Sequence, residues 1–454
     1  MSDAPGSRLA GAATTKSITI VGAGLGGALS AVFLGRAGHR VSVFERRPDP
    51  RKGASGRGRS INLAISTRGL AALERVGLEE KLLEVAVPMR GRMVHASDGR
   101  LTFQPYGHES HHVIYSVSRA GLNRLLVETA EAMDNVEVHF GRRCVDVDLE
   151  RALGVFTDVD TGTTSSVPAD LLIGADGAFS EIRLAMQKTD RFEYAQSFLE
   201  HGYKELTIPP SSSGGFLMEQ NTLHIWPRGG FMMIALPNVD GSFTCTCFWP
   251  FTGENSFSAL ATREEVRAYF GRMFPDAVPL MPSLEEDFLL NEVGSLVTVR
   301  CAPWRFKDRV ALLGDAAHAI VPFYGQGANA AFEDCIVLDE CLREFKDDPA
   351  EALRTYEERR KRHADALASL AIGNFLEMRD KTASRTFLLG KRVEKLLARL
   401  LPGRFVPLYY MVTFSRTPYA DAVLRARAQW RAVFAVAGLA LVVLVVLVAI
   451  LMRR

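Results

Sequence analysis

Apolar residues are spaced along this chain in three ways, and each spacing predicts a different kind of element. From residue 17, "SITIVGAGLGGALSAVFLGRAGHRVSVFERRPD" gives a short apolar run, a glycine turn, a helix-length apolar stretch and a second short run. That order predicts strand, turn, helix, strand. In the middle of the chain, β signals dominate in "RMVHASDGRLTFQPY", "VEVHFGRRCVDVDLE", "LGVFTDVDTG", "TLHIWPRGGFMMIALPN" and "SFTCTCFWP", punctuated by turn residues such as Asp98-Gly99. They predict a sheet inserted between the α/β pieces. "SVSRAGLNRLLVETAEAM" and "ADLLIGADGAFSEIR" return to helix and strand, and from Pro349 the pattern is helical. The last pattern is uniform: residues 432–452, "AVFAVAGLALVVLVVLVAILM", carry no charge and no polar side chain. As a helix this run is long enough to cross a bilayer core.

Composition narrows the classes. A chain of 454 residues has room for two or three domains and a large core. Its net charge of +2 and lack of a basic stripe exclude nothing but argue against nucleic acid as a partner. The six cysteines are scattered, with only Cys245 and Cys247 close together, on one face of a predicted strand. That usage fits a reducing compartment without structural disulfides. His108, His111 and His112 fall in a polar loop and are read as solvated, so no metal site is expected. Residues 1–16 are small and polar, without the apolar stretch of a secretory signal, and are expected to be a disordered lead. Trp430 and the basic Arg425, Arg427 and Arg431 precede the apolar run, while Arg453 and Arg454 follow it. The run is therefore expected to be a transmembrane anchor with the catalytic body on the cytoplasmic side.

The glycine turn carries the first chemistry. Gly22, Gly24 and Gly27 form G-x-G-x-x-G between a strand and a helix, and Glu45 closes the next strand. In that context the glycines allow a tight turn and close approach of a pyrophosphate to the helix N-terminus, while the carboxylate can accept from ribose hydroxyls. No second fingerprint follows, so one dinucleotide has a dedicated fold and any other must dock differently. Two further elements line up with it. "LLIGADGAFSEIR" ends a strand in Asp176-Gly177, with Arg183 after it. "LLGDAAHAIVPFYGQGANAAFED" places Asp315 and His318 before a loop with Gly325 and Gly327. Asp315 is either the N-cap of a helix or a ligand contact. His318 is read as a satisfied structural histidine.

In this order and at these intervals the three elements resemble the flavin monooxygenases of the p-hydroxybenzoate hydroxylase fold. The resemblance implies an α/β fold: a Rossmann-type FAD-binding domain, an inserted β-sheet substrate domain, a helical C-terminal part and one C-terminal transmembrane helix. It implies that Asp315 meets the ribityl and phosphate end of a non-covalent FAD. Backbone N–H groups from Gly327 through Ala328 to Asn329 would lie near the ring, and Arg119 would contact the cofactor. The boundaries that follow are 17–200 for the first part of the FAD domain with interleaved substrate-sheet strands, 201–300 for most of that sheet, 301–350 for the FAD-domain return, 351–424 for the helical part and 432–452 for the anchor.

"RGRSINLAISTRGLAAL", "PMRGRMVH", "QPYG", "HGYKEL", "GDAAHAIVPFYGQG" and "RFVPLYYMVTFSRTPYADA" narrow the likeness. From about residue 17 to residue 424 the chain resembles the kynurenine 3-monooxygenase family. What that implies is hydroxylation of L-kynurenine to 3-hydroxykynurenine with NADPH and O₂, through a flavin C4a-hydroperoxide. Arg92, Tyr106, Asn374 and Tyr409 match the residues that hold the substrate, with Arg92 on its carboxylate. Ile225, Pro322 and Phe323 would flank the aromatic ring. No residue is expected to act as a catalytic acid or base, because an aniline ring is already electron-rich. Tyr324 and Ala328 depart from the family pattern beside the flavin. The alternatives are a related FAD monooxygenase acting on another aromatic acid and a membrane-tethered flavoprotein with a mainly binding role. The carboxylate clamp argues against the second. The oligomeric state and the NADPH docking site stay open.

Overall fold

A computed structural model describes residues 15–52, 62–107, 112–377 and 385–453. A six-stranded sheet forms the first layer, in the order Arg305–Phe306, Val310–Leu312, Leu171–Gly174, Ser17–Val21, Arg40–Glu45, Val136–Phe140. All pairs are parallel except the first, which is antiparallel. Parallel strands covered on both faces read as continuous apolar runs rather than alternation. Ile18, Ile20, Leu172, Ile173 and Val310 accordingly sit almost wholly out of water. The helices Leu25–Arg36 and Gly327–Glu344 pack on one another against this sheet. A small antiparallel sheet of Arg142–Asp148, Leu153–Asp158 and Thr164–Pro168 flanks it.

The alternating segments build a second, seven-stranded sheet in the order Gly294–Ala302, Glu193–Ile208, Phe243–Pro250, Met232–Pro237, Thr222–Pro227, Gly91–His95, Leu101–Pro105. It is antiparallel except where Thr222–Pro227 pairs with Gly91–His95. Two of its strands therefore come from far upstream, so the sheet is interleaved with the α/β layer in sequence. One face buries Trp249 and Trp226 in a cluster with Phe270 and Phe288 from the helices Arg263–Met273 and Leu284–Leu290, and with Phe274 just beyond the first of them. The first of these helices starts at a capping box: Thr262 accepts from the Glu265 N–H and Glu265 reaches back to the Thr262 N–H. The other face, with Met232, Ile234, Leu236 and Phe248, looks toward the six-stranded sheet across a cavity. All six cysteines are free and buried.

The helix Pro349–Leu376 crosses behind this cavity. A second long helix, Tyr419–Met452, begins inside the body, where Tyr419, Ala422 and Ala426 are buried. It then leaves the protein. Apart from half-buried Val433, every residue from 432 to 452 is exposed, which no core helix shows. It is the one helix among the described residues that is long and apolar enough to cross a membrane. His108 and His111 lie outside the described residues, as does the lead 1–14.

A candidate active site between the two sheets

The cavity between the sheets is about 380 Å³ and runs from the Gly22–Gly24 turn to the Pro322–Gly327 loop. At its first end, backbone groups do the shaping. Gly22 has φ +101°, and a Cβ on Gly27 would stand 1.9 Å from the Gly22 carbonyl oxygen. Only glycine permits that approach of helix to strand. Gly27 is thus a packing residue behind the turn, while Gly22 and Gly24 line the cavity. No side chain caps the helix Leu25–Arg36, so its first-turn N–H groups are free for an anion. Glu45 also faces the cavity; it accepts from the Ala23 N–H at 2.9 Å and the Arg47 N–H at 3.0 Å. Each oxygen keeps a lone pair for a hydroxyl.

Asp176 stands beside this turn. One oxygen accepts from the Glu181 N–H at 2.7 Å; the other is buried without a partner, and burial raises its pKa. Arg183 donates to the carbonyls of Ala316 at 2.7 Å and Ala178 at 2.6 Å, tying the Asp176 loop to the Asp315 segment. Gly314, not Asp315, is the N-cap of the short helix Asp315–His318, and Asp315 lines the cavity. Arg119, Gly327 and Ala328 also line the wall. An anion-seeking helix start, acidic residues along the lining and a glycine loop at the far end match the diphosphate, hydroxyls and flat ring of FAD. The Asn329 side chain does not line the cavity. It is fully buried and acts as a staple: it accepts from the N–H groups of Ser66 and Gly69 and donates to the carbonyls of Ala64 and Gly325.

His318 is structural, as expected from its sequence position. It donates to Asp334 at 2.5 Å, and Asp334 also accepts from Arg360 at 2.7 Å and from the Gly314 N–H. Arg360 pairs with Glu333, and Glu333 pairs with Arg68 at 2.6 Å. Burial opposes the His318 charge, but Asp334 outweighs it and raises the histidine pKa. Burial likewise opposes ionisation of Asp334, yet His318 and Arg360 hold its pKa down. Arg68 stacks over the Tyr419 ring and donates to the Thr417 carbonyl, and Tyr419 donates to Gln326 at 3.1 Å. The network links the ring-side loop to the root of the exposed helix. Sequence reading missed Arg68, Glu333, Asp334 and Arg360. Two adjacent carboxylates inside the apolar "AAFEDCIVL" were the available signal.

At the other end of the cavity the chemistry lies in side chains. Arg92 lies beside the rings of Tyr106 and Tyr409, its guanidinium carbon 5.7 and 5.2 Å from their centroids, which are themselves 6.0 Å apart. It is exposed only in part, toward the cavity, and its Nε is enclosed without a partner. Among the described residues no carboxylate pairs with it. Burial pushes the Tyr106 and Tyr324 phenols above the usual range, so both stay neutral at physiological pH. Pro322, Phe323 and Tyr324 wall this end, with Phe248 and Ile234 opposite. Ile225 and Asn374 stand one layer back. Ile225 packs behind Phe323, and Asn374 donates to the Phe323 carbonyl at 2.6 Å.

Comparison with known proteins places the chain in a family. Residues 15–371 match the FAD binding domain family model. The p-nitrophenol 4-monooxygenase of Pseudomonas putida superposes with a TM-score of 0.66 at 20% identity, over 86% of this chain and 94% of that one. A 2-methyl-3-hydroxypyridine-5-carboxylic acid oxygenase gives 0.64 at 20% identity, over 81% and 94%. Fold and site thus define an FAD-dependent aromatic monooxygenase. The kynurenine 3-monooxygenases of Salinispora tropica and Dictyostelium discoideum are 51% and 46% identical to this chain, over 94% and 90% of both partners. The chain belongs to the kynurenine 3-monooxygenase family.

Proposed function

We propose that this protein hydroxylates L-kynurenine at the ring carbon next to the amine, giving 3-hydroxykynurenine. One oxygen atom of O₂ enters the ring, the other leaves as water, and NADPH supplies two electrons. The observation that carries the reading is Arg92: an enclosed cation on the cavity wall with no carboxylate partner among the described residues. Such a charge is costly unless an anion joins it, and a guanidinium fork fits a carboxylate. The phenols of Tyr106 and Tyr409 flank the same place. Pro322 and Phe323 hold the ring and keep water from it. Asn374 fixes the Phe323 carbonyl, and Ile225 backs the Phe323 ring; both serve as positioning residues. FAD, when bound, activates oxygen. Gly22, Gly24, Glu45 and Asp315 hold its polar end, with Arg119, Gly327 and Ala328 along its length.

The exposed run 432–452 is the anchor in this reading. Arg425, Arg427 and Arg431 before it favour a cytoplasmic body. The test is NADPH oxidation with a panel of aromatic acids and mass analysis of the product. L-kynurenine gaining one oxygen supports the assignment. Turnover of a hydroxybenzoate, with kynurenine unchanged, would move it to another aromatic hydroxylase.

A further inference from the structure

The helix Arg385–Leu400 lies apart from the cavity lining and carries an exposed apolar stripe. Leu389, Val393, Leu396 and Leu400 recur at intervals of four, three and four residues, which puts them on one face. They are 60%, 38%, 54% and 65% exposed, and Leu401 continues the stripe. The half-buried Glu394, Leu397 and Ala398 mark the side turned to the body. Arg392, Lys395 and Arg399 are exposed on the remaining flank, beside the stripe and away from the body. The helix thus has three sides: body, apolar and basic.

Its position says what covers the apolar side. The segment that follows it is fastened to the exposed long helix just before the apolar run begins. Arg425 donates to the Gly403 carbonyl at 3.0 Å. Gln429 accepts from the Val406 N–H at 2.6 Å and donates to the Val406 carbonyl at 3.2 Å. Phe405 meets Trp430 edge-on at 5.5 Å. The far end of Arg385–Leu400 is thereby held at the level of residues 425–430, within two turns of residue 432. We propose that this helix is a second membrane contact, lying in the headgroup boundary of the bilayer that the 432–452 run crosses, with its stripe in the acyl region and its basic flank on anionic headgroups. This rests on the anchor reading above. A spanning helix alone leaves the body free to tilt. Two contacts, joined by these hydrogen bonds, fix how the cavity is held over the surface.

The test uses the full-length, FAD-loaded chain in phosphatidylcholine–phosphatidylglycerol vesicles. Because all six native cysteines are buried, a thiol-reactive, polarity-sensitive fluorophore can be placed on Leu396→Cys, Leu444→Cys or Val159→Cys in separate preparations. Leu444 lies in the apolar run, and Val159 is exposed on the hairpin of the small sheet. Flavin absorbance confirms that each variant is folded. The Leu396 probe should be quenched about twofold more by a shallow lipid-borne quencher than by a deep one, as befits a depth of roughly 5–10 Å. The Leu444 probe should favour the deep quencher, and the Val159 probe should respond to neither. Omitting phosphatidylglycerol should weaken quenching at Leu396 and leave Leu444 unchanged. A quenched Leu444 beside an unquenched Leu396 overturns the second contact and keeps the anchor. An unquenched Leu444 overturns the anchor itself. A Leu396 signal that tracks protein density rather than lipid quencher would assign the stripe to a second copy of the chain and overturn the proposal.

Discussion

Arg360 and Arg92 both carry a charge beneath the surface, but in opposite settings. Arg360 meets Asp334 and Glu333, and the same carboxylates take up His318 and Arg68. Arg92 meets two phenol rings and the cavity. A closed network of paired charges holds structure together, and breaking it strands a charge. A cation left open toward a cavity is balanced only when a ligand arrives. The difference separates a structural arginine from one proposed to bind a ligand, without reference to any relative.

Changes on the closed side should cost the most stability. Asp334→Asn strands His318 and leaves Arg360 with Glu333 alone, and unfolding should become easier by about 3–5 kcal/mol, read from denaturant midpoints. On the open side, Arg92→Met should leave the midpoint unchanged or raise it, while weakening kynurenine binding by roughly 2–5 kcal/mol. Equal loss of stability in both variants would erase the distinction. Asp315→Ala should act on the cofactor rather than on either arginine, weakening FAD retention by about 1.5–3 kcal/mol, the usual range for a hydrogen bond to a charged group. Gel filtration followed by flavin absorbance reads it, and unchanged retention would remove Asp315 from the cofactor set.

The closed network should also show itself through pH. His318 has its pKa raised above 6.5 by Asp334, against the opposing effect of burial. Its contribution to stability is complete below pH 6.5 and is lost as pH rises through the folded value. Asp334 is held below 3.8, so its contribution is lost as pH falls through that lower value. Melting temperature should therefore decline on the alkaline side in the native enzyme, and His318→Gln should flatten that limb. The smallest effect is expected from removing the exposed run. A stop after Arg431 keeps Gln429 on Val406 and Trp430 on Phe405, so flavin content and most of kcat should persist. A folded but inactive product would place the run in the substrate path.

The cofactor end was legible because it is built from backbone within one stretch. The Gly22–Gly27 turn and Glu45 sit within one strand–helix–strand unit, and glycine spacing there is itself the geometry. The alternating strands were also legible, as was the anchor-length run. Residues 68, 318, 333, 334 and 360 meet only through tertiary packing, so no spacing announces them. The substrate end is similar: Arg92, Tyr106 and Tyr409 come from two strand ends and a short helix. Family likeness named them, and the cavity brings them together. That likeness also named Ile225 and Asn374, which stand behind the wall. A motif match carries over residue identity but not the depth at which a side chain sits.

The central claim is that Arg92 waits for a carboxylate. It is tested most directly by binding L-kynurenine and its decarboxylated analogue kynuramine to the FAD-loaded native enzyme and to Arg92→Met, followed by flavin absorbance. The native enzyme should prefer kynurenine, and the variant should lose roughly 2–5 kcal/mol for kynurenine but little for the analogue, a coupling that isolates the guanidinium–carboxylate contact. If Arg92→Met binds kynurenine as tightly as the native enzyme does, or loses both ligands equally, Arg92 is not the carboxylate partner.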